Sequence, residues 1–193
     1  MNSPRRALFL LLPLGLAACV TAAPREVVTL PRDFTSGVGD PLRGAILEAS
    51  SAFAQPARLR GQPAAAARAL AAMEYLAVAL PQDQSHTVRL DGITELQLLT
   101  ARREWRGALG VSETAPAQDV MDALFAASVA RDARAASAAL SLPAFTAGPD
   151  ATLARLAALP PLRQTVRAAA SARLHLDRQR EVPREFSRLP LPH

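Results

Sequence analysis

The feature that most constrains this chain is its period. Beyond residue 40, apolar side chains recur every three to four positions between proline and glycine breaks, and no stretch alternates apolar with polar residues. Such a chain folds by packing helix on helix. The predicted fold class is all-α, about five or six helices in a single irregular bundle after a flexible N-terminal tether. Residues 63–80 carry charge only at Arg68 and Glu74 and are apolar almost all round, which places that helix in the middle of the domain.

Local signals mark the other helices. Asp40 followed by Pro41 reads as a cap and a first helical residue, opening a helix that runs through Ile46, Leu47 and Phe53 until Pro56 stops it. A third helix follows Asp91, with Ile93, Leu96, Leu99 and Trp105 as its apolar positions, the single Trp as a core anchor, and an end near Gly110. A fourth begins near Pro116 and extends as far as Leu140. Its early Asp119 and Asp122 and late Arg131 and Arg134 complement the helix dipole. A loop over residues 142–149 leads to a short helix after Asp150. Pro160 and Pro161 separate it from a last helix over residues 161–181, whose inward face is read as Leu162, Val166, Ala170 and Leu174. Pro183, Pro190 and Pro192 then forbid further helix, so residues 182–193 form an extended tail. The residues around Trp105 approach the start of a helical-pair repeat, but no second copy occurs, which argues against a solenoid.

The N-terminus has a different organisation. Arg5 and Arg6 precede an apolar run over residues 7–14 and a small-residue exit over residues 15–18, the order of a cleavable export signal. The run is shorter than the roughly 20 residues that span a bilayer and is interrupted by Pro13. The sequence that follows, Leu16-Ala17-Ala18-Cys19, resembles the lipobox of bacterial lipoproteins, and the resemblance covers residues 1–19 alone. It implies cleavage before Cys19, a diacylglycerol on the Cys19 sulfur and an acyl chain on its amine. It also implies anchorage in the cell envelope, and Val20 after the cysteine, where an aspartate would retain the protein in the inner membrane, favours the outer membrane facing the periplasm. Cys19 is the single cysteine, so an internal disulfide is excluded. Residues 1–18 are read as the signal, residues 19–39, with Pro24, Pro31, Gly37 and Gly39, as a lipidated tether, and residues 40–181 as the domain.

No reactive constellation stands out. His86 and His193 lie in polar or terminal sequence, and His175 has no second ligand at helical spacing, so no metal is expected. Nucleophile and dinucleotide motifs are missing, and no cofactor is expected beyond the covalent lipid. Glu95 and Glu104 make the one conceivable carboxylate pair on a helix. Every basic residue is arginine, a compositional bias that raises the isoelectric point without implying a polyanion site. Residues 160–193 nevertheless hold seven arginines against three acids, and Arg163, Arg167 and Arg178 are the candidate contacts to an anionic surface. Nucleic acid is not expected, since no aromatic residues interleave with them. These observations predict a non-enzymatic envelope module, structural, assembly or binding, with the membrane and an envelope protein as partners. The alternatives are a hydrolase whose site is scattered in sequence and a small-ligand carrier with an apolar pocket between helices.

Overall fold

A computed structural model describes residues 26–35, 39–84 and 90–186, with side chains through residue 180. Among these residues there are seven α-helices and no strand. The central element is α2 (Pro63–Ala79), eleven of whose residues are buried, Ala66, Leu70, Met73 and Leu76 among them. Alanines on most of its faces let neighbouring backbones approach closely, and α2 packs on α1 (Pro41–Ala54), α3 (Gly92–Leu109), α4 (Ala117–Ser128) and α6 (Pro149–Ala157). By length and composition α2 with its following 3₁₀ turn, Pro63–Gln82, is apolar enough to cross a membrane, but most of it is buried in the bundle. α7 (Arg163–Phe186) closes the other side against α1 and α3, and α5 (Ala133–Ala139) bridges α4 and α6.

Three helix starts follow the local code. Asp40 accepts a hydrogen bond from Leu42 N (3.0 Å), Asp91 from Thr94 N (2.8 Å) and Asp132 from Ala135 N (2.8 Å). Gly110 ends α3 at φ +75°, in the left-handed region that favours glycine. Residues 110–112 then pair briefly with 144–146, through Ser112 N to Ala144 O (2.9 Å) and Thr146 N to Gly110 O (2.8 Å).

Several expectations are corrected. The single fourth helix is two, because Ser128 Oγ bonds back to Phe125 O (2.7 Å) and Asp132 captures Ala135 N, so the chain breaks between them. Ile93, Leu96 and Leu99 do not face inward: they are 71, 60 and 41% exposed, whereas Leu98, Ala101, Trp105 and Leu109 are fully buried. α7 is likewise rotated from the expected face. Leu162 is buried as expected, but Ala168, Ala169, Ala172 and Leu176 complete the inward face while Ala170 and Leu174 are exposed. In α7 small residues take the crowded interface, since Ala lets helices approach where Leu would hold them apart. The last helix continues past Pro183 to Phe186, so the boundary expected at residue 181 is also corrected.

The tether is corrected most. Residues 26–34 lie along the bundle, with Leu30 and Phe34 buried in the common core. Phe34 packs its ring 5.3 Å from that of Phe125, under the Arg68 guanidinium at 4.8 Å, and its carbonyl accepts from Arg68 Nη2. Burying one phenylalanine contributes about 1.5–3 kcal/mol, which is enough to hold a short strap in place. Cys19 and the lipobox residues Leu16, Ala17 and Ala18 lie outside the described residues, as do His86 and His193.

Candidate functional site

A single carboxylate inside an apolar helix needs a partner, because an unpaired buried charge costs several kcal/mol. Glu74, fully buried on α2, finds two on α3. Arg102 and Arg106 stand one turn apart and both reach it: Arg102 Nε and Nη2 lie 2.8 Å from Glu74 Oε1, and Arg106 Nε lies 3.3 Å from Oε2, with Arg106 Nη2 against Oε1. Arg106 Nη1 also donates to the carbonyls of Ser112 (2.9 Å), Glu113 (3.3 Å) and Ala115 (3.0 Å), so one buried guanidinium fixes the loop between α3 and α4.

The network extends to the strap. Arg102 Nη1 lies 2.9 Å from Glu26 Oε2, and Glu26 Oε1 accepts from Ala117 N (3.0 Å), capping α4, whose own first residues offer no side-chain cap. Burial would raise the Glu26 pKa, but the Arg102 and Ala117 hydrogen bonds outweigh it and hold the carboxyl below its ordinary value. Burial would likewise lower the Arg102 pKa, and the charges of Glu74 and Glu26 more than reverse this. Gln118 completes the attachment, taking a hydrogen bond from Thr29 N (2.8 Å) and giving one to Thr29 O (3.0 Å).

Glu95 and Glu104 do not form a pair. Glu104 caps α7, accepting from Gln164 N (3.1 Å), Thr165 N (2.8 Å) and Thr165 Oγ1 (2.8 Å), while Glu95 is exposed near the opposite end of α3. His175 is buried, with its Nε2 2.7 Å from Gln179 Nε2. Among the described residues no three His, Cys, Asp or Glu side chains converge as metal ligands. Beside the strap, Tyr75 lines a hollow with Val27, Asp40 and Asp83, and burial, then the Asp40 and Asp83 carboxylates, push its hydroxyl pKa up. A phenol so shifted holds its proton more tightly.

The concave feature with a coherent chemistry is a groove of about 720 Å³ at the end of α1, lined by Phe53, Leu59, Leu159, Leu162 and Val166. Three charged residues line it and all are arginines: Arg60, Arg163 and Arg167. All three are exposed and none makes an ion pair with a described residue. Gly61, at φ +72°, donates to Ala157 O (2.8 Å) and so ties the wall formed by the 3₁₀ turn Pro56–Leu59 to the end of α6. Of the three arginines singled out in the sequence, the fold therefore brings Arg163 and Arg167 together. Arg178 lies instead near the other end of α3, 3.7 Å from Asp91. Arg60, Phe53 and Leu59 were missed because they precede α7 by about a hundred residues and only the fold brings them to it. Comparison with protein-family models, curated proteins and solved structures finds no match to this chain.

Replacing Glu74 by Ala leaves the Arg106 guanidinium buried beside one fewer anion and is expected to cost about 3–5 kcal/mol in urea unfolding. A loss below about 1 kcal/mol would mean that the network contributes little to stability.

Proposed function

We propose that this chain is a non-enzymatic, lipid-anchored binding module of the bacterial cell envelope, held by acyl chains on Cys19 and facing the periplasm from the outer membrane. The observation that carries the binding role is the open apolar groove edged by Arg60, Arg163 and Arg167. Apolar walls bury a hydrocarbon chain at about 25 cal/mol per Å² removed from water, and guanidinium groups pair with carboxylate or phosphate oxygens. The ligand that satisfies both is an amphiphile with a long apolar chain and an anionic head. The engagement of Glu74 and Arg106, both buried, and of the half-buried Arg102 and Glu104 in contacts between helices supports this reading over a hydrolase that would use them.

Anchorage rests on the lipobox-like residues and on the chemistry of one thiol. Cys19→Ser is expected to abolish incorporation of a clickable fatty acid, since a hydroxyl is a far weaker nucleophile than a thiolate. Equal labelling of the variant would contradict it. For the groove, a fluorescent long-chain carboxylate is expected to bind the mature protein and to weaken about tenfold or more when Arg163 and Arg167 are both changed to Glu, the equivalent of ~1.4 kcal/mol or more. Unchanged binding in the double variant would remove the groove from the function.

A further inference from the structure

α3 carries apolar side chains on two faces. One holds Leu98, Ala101, Trp105 and Leu109 in the core, and the other exposes Ile93, Leu96 and Leu99 at i, i+3 and i+6. Three aliphatic side chains in one exposed line call for a cover, and the position of the strap indicates which. Glu26 and Leu99 line the same cleft, together with Glu95 and Arg102, so the first described residue of the strap lies beside this stripe. Val27, next to Glu26, is 81% exposed at the same end of the molecule. Between Cys19 and Glu26 there are seven peptide steps, which span at most about 25 Å when fully extended.

We propose that the exposed stripe Ile93, Leu96 and Leu99 of α3 is a membrane-docking face, seated on the lipid surface that holds the anchor of this same chain. The proposal rests on the reading of Cys19 as the lipidated residue. A docked strap and a short leash bring this end of the bundle to the bilayer, where aliphatic side chains settle at the boundary between headgroups and acyl chains. Arg103, exposed one turn beyond Leu99, is placed to reach headgroup phosphates with its charge while its stem stays apolar. The neighbouring ionisable groups, Glu26, Glu95, Arg102 and Arg103, balance in sign, so the contact depends on apolar insertion and not on an anionic lipid. Leu59 and Arg60 adjoin the start of α2, whereas Gln82 beyond its end donates to the strap at Glu26 O (2.9 Å). The 17 residues of α2 separate the two by roughly 25 Å along that helix.

The test uses the full chain, processed in bacteria and reconstituted in phosphatidylethanolamine and phosphatidylglycerol vesicles with brominated acyl chains. Acylation blocks the one native thiol, so a cysteine introduced as Leu96→Cys takes up a bimane label alone, and Arg58→Cys at the groove end serves as reference. Both sites are exposed, and unchanged melting of each variant verifies the fold. The expected result is a blue-shifted label at position 96 that loses most of its fluorescence to the brominated lipid, with the label at 58 unaffected. Equal quenching at both sites, or none at 96, would overturn the proposal. So would a label at 96 that shifts in native membranes yet is not quenched by lipid, since a protein would then be the cover. Uptake of label by the unsubstituted chain would show a free Cys19 thiol, overturning the anchor reading and this proposal with it. An acylated chain without quenching at 96 would overturn the docking face alone.

Discussion

Glu74 sets the terms for the rest of the molecule. A carboxylate at the centre of the most apolar helix is tolerable only with cations beside it, and those cations must come from a neighbouring helix because α2 itself offers only Arg68. Arg102 and Arg106 supply them, and in doing so fix the register of α3 against α2. What remains of their hydrogen-bonding capacity reaches outward, Arg106 to the loop before α4 and Arg102 to Glu26 of the strap. Replacing the group by well-packed apolar residues would cost little in principle, so its value is that it selects one arrangement of three helices and a strap.

The strap follows from that selection. Residues that read as a linker become a structural element because Glu26 finds Arg102 and the start of α4 at one end, while Phe34 finds Phe125 and Arg68 at the other. The groove lies near the start of α2, whereas Glu26, the first described residue of the strap, sits at Gln82 beyond its end.

The fold class and most helix starts were legible in the sequence because they depend on local chemistry. The caps at Asp40 and Asp91 sit within three residues of the amides they satisfy. The remote caps were not legible: Glu26 serves Ala117 across 91 positions and Glu104 serves Thr165 across 61. The facing of α3 misled for a related reason. Ile93, Leu96 and Leu99 have the hydrophobicity of core residues, while the true interface is set by Ala101, Trp105 and the arginines that answer Glu74. A lone acid in an apolar helix followed by arginines four apart in the next was the available signal for the network. For the groove there was half a signal, the i+4 pair Arg163 and Arg167, but its apolar wall assembles only from segments distant in sequence.

That the strap is part of the folded bundle is tested most directly by native-state hydrogen exchange at two amides, Ala117 and Thr29, which donate to Glu26 Oε1 and Gln118 Oε1. Because the folded Glu26 pKa lies below its unfolded value of ~4.3, the attachment contributes fully above that value and weakens as the pH falls through the folded one. Both amides are expected to be protected well beyond unfolded-chain rates near neutral pH, with protection at Ala117 falling in acid. Exchange at unfolded-chain rates at both positions would show a free tether and contradict the docked strap.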